Sequence, residues 1–349
     1  MKKFLFIVAV CVITKTHAQD TVKVKTNLTP EQEAENYYNQ GLDLINRKDF
    51  NPAIEELTKA IAINAKFEKA IMSRAFAKAE SKNSDGALED YKLALSLNPA
   101  NAEAWFGKAQ VFYNLQKKDS ALNNLNQSIQ ADKSFYKAYY LKGQLLFEQE
   151  EYKDAIAEYD KAIQAKSDYA YAYNDRASAK KQLGDEAGAI ADYEKAVSFD
   201  SKMFFAYNNL GSCKRVKNDY IGAIQAYNKA IELKSDYYIA INNRGSAKLS
   251  SNDLDGALAD FNLALKHKSD YLLAINNIAS VHIKKKDYKQ ASEWASKAIK
   301  MDEKLASAYV NRGIAKQMLK DEEGACADWK KAAQLGSAEG KRYSAGLCD

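Results

Sequence analysis

The chain is poor in the residues from which active sites are built. Beyond its first 18 residues it holds only two histidines, His267 and His282. Neither has a cysteine or an acid at metal-ligand spacing. There is no glycine-rich phosphate loop, no serine elbow and no paired-cysteine motif. The sequence therefore motivates no enzyme, metal site or cofactor, and its abundant Asp, Glu and Lys read as solvated helix surface. No long basic run is present, so nucleic-acid binding has no electrostatic footprint. Past the N-terminus no segment is apolar enough to span a bilayer.

The N-terminus is different. Lys2-Lys3 form a positive start, Phe4 to Ile13 an apolar stretch, and Thr16-His17-Ala18 a small-residue end. Residues 1–18 thus read as a secretory signal peptide cleaved near Ala18-Gln19. The apolar stretch is too short for a membrane anchor, and the bulky Val10 before Cys11 argues against a lipoprotein site. Removing the leader takes away three lysines and no acid, so the formal charge falls from +5 to +2. The mature protein is expected to be exported, either periplasmic or secreted, with no transmembrane segment.

What the chain does have is a period. An alanine recurs at Ala53, Ala87, Ala121, Ala155, Ala189, Ala223, Ala257, Ala291 and Ala325, nine copies at a fixed step of 34 residues. With positions counted from Ala34, this alanine is position 20. Position 8 is Gly or Ala throughout, from Gly41 to Gly313. Position 27 is Ala or Ser, from Ala60 to Ala332. Small residues at matched places let two helices approach without clash or cavity. Large residues fill position 24 (Leu57, Tyr91, Leu125, Tyr159, Tyr193, Tyr227, Phe261, Trp329), with Ala295 the exception.

This pattern resembles the tetratricopeptide repeat, whose period is 34 residues. The resemblance covers roughly residues 34–339 and implies an all-α fold: an α-solenoid, a right-handed superhelix of nine helix-turn-helix repeats. Residues 19–33 are expected to be a flexible lead-in and the start of the first helix. Thr29-Pro30-Glu31-Gln32 carries the signature of a capping box with proline at the first helical position. The family's proline near the end of helix B stands only at Pro99. Ser167, Ser201, Ser235, Ser269 and Ser337 stand there instead, and a serine can cap the next helix, so the turn is expected to form without the proline ring. A short cap helix is expected over Ala338 to Leu347, with 340–349 closing the chain.

Two features vary within the array. In four repeats position 7 is Arg (Arg74, Arg176, Arg244, Arg312), position 23 is Asp (Asp90, Asp192, Asp260, Asp328) and position 11 is Lys (Lys78, Lys180, Lys248, Lys316). The other repeats carry neither the Arg nor the Asp. The all-or-none matching points to a structural ion pair between helices A and B. At the other extreme of the chain, Cys326 and Cys348 flank the turn into the cap helix and would lie level in a hairpin. Export permits a disulfide there. The alternative is that Cys326 is a small hydrophobe in place of the Ile or Leu usual at position 21. Cys213 is then left as a single buried thiol.

The resemblance implies that helix A positions 2, 5, 9 and 12, with 6 beside them, face an inner groove. In the first four repeats these places are apolar and aromatic, including Tyr38, Phe76, Phe106, Tyr113, Tyr140 and Phe147. In the next four they read Asn174-Asp175 with Ser178, Asn208-Asn209 with Ser212, Asn242-Asn243 with Ser246, and Asn276-Asn277 with Ser280. Asn311 extends the series. A side-chain amide is both donor and acceptor, so it can match the backbone of an extended peptide. The series resembles the asparagine ladders of peptide-binding tetratricopeptide proteins. The opposing reading is that Asn at position 6, and the aromatics, are common family choices that pack between repeats. The family's carboxylate clamp is not matched. Lys69 and Lys137 sit at groove positions without its accompanying residues.

The expected function is an exported scaffold or adaptor, not an enzyme, that captures a protein or extended peptide or assembles a cell-envelope complex. The alternative is a structural homo-oligomer using the groove or the end repeats.

Overall fold

The computed structural model describes residues 28–348. The leader, with Cys11, and most of the lead-in lie outside the described residues. Those described form nineteen α-helices and no strand. By Cα proximity the described residues divide into two compact units, one ending at Leu97 and one starting at Asn98.

The first unit holds two helical hairpins, α1 (Pro30–Asn46) with α2 (Phe50–Ile63) and α3 (Glu68–Glu80) with α4 (Ser84–Leu97). Its entry is the expected capping box. Thr29 Oγ1 accepts from the Gln32 amide at 3.3 Å, and Gln32 Oε1 accepts from the Thr29 amide at 3.0 Å. The hairpins close on Leu57, Ala60 and Ala70, flanked by Tyr37, Tyr38, Ile45, Ile61 and Phe67.

The second unit continues the pattern as an all-α solenoid. It runs α5 (Ala102–Asn114), α6 (Lys118–Ala131), α7 (Tyr136–Glu148), α8 (Tyr152–Ala165), α9 (Ala170–Gln182), α10 (Glu186–Phe199), α11 (Phe204–Val216) and α12 (Tyr220–Leu233). Then come α13 (Tyr238–Ser250), α14 (Leu254–His267), α15 (Leu272–Lys284), α16 (Tyr288–Met301), α17 (Ala306–Met318), α18 (Glu322–Gln334) and the cap α19 (Ala338–Leu347). Odd-numbered helices to α17 are the A helices.

The small residues do what their spacing requires. Every alanine at position 20 is fully buried, as is every residue at position 27. Where position 8 is glycine, the bulk of position 24 fills the space a Cβ would take. A Cβ on Gly143 would lie 2.6 Å from the Tyr159 ring, and one on Gly313 would lie 2.3 Å from Trp329 Nε1. Ala295 at position 24 is compensated by Trp294, one residue earlier, which packs against the cores on both sides of α16.

The turn within each hairpin places position 15 in the left-handed region, from Lys48 (φ 64°) to Lys320 (φ 68°), yet only Gly184 is a glycine there. The residue after it is the N-cap of helix B. Where that is Asp185, Asp219, Asp253 or Asp321, its carboxylate accepts from the amide of a glycine three residues on at 2.9 Å. Between repeats the expectation of serine caps fails at four places. The N-caps of α9, α11, α13 and α15 are Tyr169, Met203, Tyr237 and Tyr271, without side-chain caps. Ser167, Ser201, Ser235 and Ser269 stand two residues too early to reach the helix amides. Only Ser337 caps, accepting from the Gly340 amide at 3.1 Å.

The four ion pairs form, each bidentate. Arg244 Nε and Nη2 meet Asp260 at 2.9 and 2.6 Å, and Arg74–Asp90, Arg176–Asp192 and Arg312–Asp328 repeat the geometry. Lysine at position 11 adds a second cation, as at Lys248–Asp260, 2.8 Å. The Arg also reaches back to the preceding repeat, for instance Arg244 Nη1 to Asn228 Oδ1 at 2.7 Å. Each Asp is thus buried with two cations, and each Arg joins two repeats. A fifth, unforeseen version is Lys142–Glu158 at 3.3 Å.

Cys326 and Cys348 are joined in a disulfide that ties the end of α19 to α18. Under it Trp329 stacks on Tyr343 at 5.1 Å. Cys213 is free and buried.

Candidate functional site

The asparagine series divides by depth. Helix A positions 5 and 6 are sequence neighbours, but a helix turns about 100° between them. Position 5 therefore enters the seam between repeats, where Asn174, Asn208, Asn242 and Asn276 are buried. Position 6 stays half-buried. The two classes bond across repeats: Asn243 Nδ2 donates to Asn208 Oδ1, Asn277 Nδ2 to Asn242 Oδ1 and Asn311 Nδ2 to Asn276 Oδ1, all at 3.0 Å. Ser178, Ser212 and Ser246 fold back onto the position 5 carbonyls at 3.1 Å. Ser280 Oγ accepts from Asn311 Nδ2 at 3.0 Å. The inner asparagines are thus inter-repeat ties. What stays open on the outer ones is an acceptor, because the Oδ1 atoms of Asn243, Asn277 and Asn311 have no partner among the described residues. Asn209 makes no tie to Asn174, whose own Oδ1 is buried without a partner.

Where the asparagine series begins, the second unit has a cavity of about 260 Å³. It is lined by Tyr113 of α5, Gln144, Phe147 and Glu148 of α7, Tyr159 of α8, and Asp175 and Ser178 of α9. Three successive A helices present positions 12, 9 and 6 to it. Asp175 is the one acid in a place that later repeats fill with Asn. Its Oδ2 accepts from the Tyr140 hydroxyl at 2.7 Å and from Gln144 Nε2 at 3.3 Å, and its Oδ1 accepts from Asn174 Nδ2 at 2.8 Å. Burial raises its pKa above the usual carboxylate value, against the lowering effect of those three bonds. The Tyr113 hydroxyl donates to Glu148 Oε1, and that bond, with burial, pushes the phenol up to about 12. Burial likewise raises Tyr159.

The aromatic set is only partly gathered here. Tyr113 and Phe147 line the cavity, and Tyr140 braces it from behind through Asp175. Phe106 packs on Phe135 with centroids 5.4 Å apart. In the first unit Tyr38 packs on Phe67 at 5.0 Å, while Phe76, 43% exposed, meets Phe50 edge-on. Sequence reasoning missed Gln144, Glu148 and Tyr159 as cavity residues. Gln144 occupies position 9, where Ser178 marks the groove, so its signal was available. Tyr159 at position 24 reads as packing only, and nothing in the sequence marks Glu148.

Two family models, each described as tetratricopeptide repeat, match the chain. One matches residues 74–122 and 108–170, and the other matches 170–203, 206–237 and 273–305. Together they cover more than half of it. No curated protein matches. Among solved structures, a tetratricopeptide repeat protein from Parabacteroides merdae is 19% identical, covers 71% of this chain and 99% of its own, and superposes with a TM-score of 0.58. The C-terminal part of a TPR repeat-containing protein from Cytophaga hutchinsonii is 18% identical over 68% of this chain and 97% of its own, with a TM-score of 0.55. The APC/C hetero-tetramer Cut9–Hcn1 is 13% identical over 94% of this chain and 78% of that chain, with a TM-score of 0.57. At these identities the likeness is one of fold.

Proposed function

The chain belongs to the tetratricopeptide repeat family, and we propose that it is an exported protein-interaction scaffold that holds an extended polypeptide against the A helices of its second unit. One observation carries this reading. The outer asparagines of three successive repeats each keep a carbonyl oxygen without a partner, in register with the 34-residue period. An extended chain carries backbone N–H groups that need acceptors. A row of fixed amide oxygens supplies them without reading side chains, and their own Nδ2 atoms are anchored, so little conformational freedom remains to be lost on binding. The cavity at the start of the row gives a place where one ligand side chain is read. Export is supported by the leader and by the disulfide, since such bonds persist in oxidising compartments.

Photo-crosslinking tests the reading. A benzophenone side chain at Asn209, or at the exposed groove residue Leu273, is expected to capture polypeptide from the native envelope, and one at Lys229 or Glu232, exposed on helix B, is expected not to. Equal capture at both faces, or none at Asn209 and Leu273, rejects it. Alanine at Asn208, Asn242 and Asn276 is the wrong test, because it removes the ties between repeats together with any binding.

A further inference from the structure

Half-buried Asp175 differs from the four buried aspartates among the described residues. Asp90, Asp192, Asp260 and Asp328 each hold an arginine and a lysine. Asp175 is held by neutral donors alone: Tyr140, Gln144 and Asn174. A carboxylate accepts about four hydrogen bonds, so these donors leave room for a further one. A second carboxylate, Glu148, borders the same cavity; it accepts from the Tyr113 hydroxyl, and its cation among the described residues is Lys118 at 3.6 Å. The remaining walls include the rings of Tyr113, Phe147 and Tyr159. Aromatic faces attract cations, and two carboxylates repel anions. An apolar occupant would exclude water from Asp175 and give nothing in return.

Resting on the scaffold reading, we propose that this cavity is a subsite for a basic side chain of the bound polypeptide, with arginine the better fit. A guanidinium is planar, so it stacks on a ring while an edge N–H donates to Asp175. It supplies from outside the cation that the other four aspartates obtain from their own repeats. The outer asparagines hold backbone, and this cavity sets the register of the segment on them.

The test uses short acetylated peptide libraries, degenerate in small polar and apolar residues, with one fixed central residue: arginine, lysine, citrulline or glutamate. Binding to the full mature chain is read by fluorescence anisotropy. The arginine and lysine libraries are expected to bind roughly tenfold tighter than the citrulline library, with glutamate weakest. Asp175→Asn is expected to erase that preference, bringing the arginine and lysine libraries to the affinity of the citrulline library. Gln144→Lys is a second, independent variant. It puts a lysine at the residue whose amide nitrogen now lies 3.3 Å from Asp175 Oδ2, so an internal cation can reach the carboxylate, and it is expected to erase the preference too. Citrulline binding as well as arginine, or a preference surviving in both variants, overturns the subsite and leaves the scaffold reading standing. If no library binds, both fail.

Discussion

A single carboxylate at position 23 decides how two helices and the preceding repeat lock together. Asp260 is 3% exposed and takes two bonds from Arg244 and one from Lys248. Replacing it with alanine leaves two cations facing each other in a half-dry seam, so Asp260→Ala is expected to lower stability by about 3–5 kcal/mol. Chemical denaturation measures this, and a loss below about 1 kcal/mol would place the pair with ordinary surface bridges. Asp175 is expected to behave in the opposite sense. Its folded pKa lies above the ordinary value of 3.8, with burial the largest cause. The folded state therefore binds this proton more tightly than the unfolded one. Its stabilising contribution is full below the unfolded pKa and is lost as pH rises through the folded pKa. Asp175→Asn keeps an acceptor for Tyr140 and Gln144 and carries no charge, but loses the acceptor that Asn174 Nδ2 now uses. Relative to the variant, the parent is expected to lose stability between about pH 4 and about pH 7. Denaturation of both proteins at the two pH values checks the sign.

At the scale of the helix, the cap α19 depends on a covalent tie more than on its own sequence. It is ten residues long and carries two glycines, Gly340 and Gly346, each unfavourable in a helix by about 1 kcal/mol. The Cys326–Cys348 bond closes 22 residues of chain, which is worth about 3 kcal/mol in the loop-entropy account. Reduction, or Cys348→Ser, is expected to fray α19 and open Lys341 and Arg342 to trypsin, while the bridged protein resists; proteolysis with and without reductant reads this directly. The level placement of the two cysteines was legible because a hairpin turning at Ser337 fixes it. The small residues at positions 8, 20 and 27 were legible because a repeated steric limit leaves a repeated residue. The Arg–Asp pairs were legible because both partners change together. The division of labour between Asn242 and Asn243 was not, since it depends on how far one repeat rotates against the next. The serine turns were misread for a similar reason: Ser201 lies near the end of helix B, but the helix start falls after Met203, beyond its side chain's reach. The cavity draws on four helices at once, and no local pattern records that Glu148, Tyr159 and Asp175 meet.

For the molecule as a whole, the export reading and the cysteine chemistry bear on each other. Among the described residues no helix is long and apolar enough to cross a membrane, and the proposal of export starts from residues 1–18 read as a leader. If cleavage falls before Gln19, Cys11 leaves with the leader, and the mature chain keeps Cys213, Cys326 and Cys348. Two of these are bonded, and Cys213 is buried with its thiol pushed up to about 12, first by burial and then by its bond to Glu186. A thiol held neutral and out of solvent reacts slowly with alkylating reagents. Protein taken from the envelope is therefore expected to label at no cysteine when native, at one when unfolded, and at all three only after reduction. Its N-terminal residue is expected to be Gln19. Four reactive thiols in the reduced chain would show that the leader is retained. Three in the unreduced, unfolded chain would show that the bridge does not form where the protein resides, and with it the support that the disulfide lends to export would be gone.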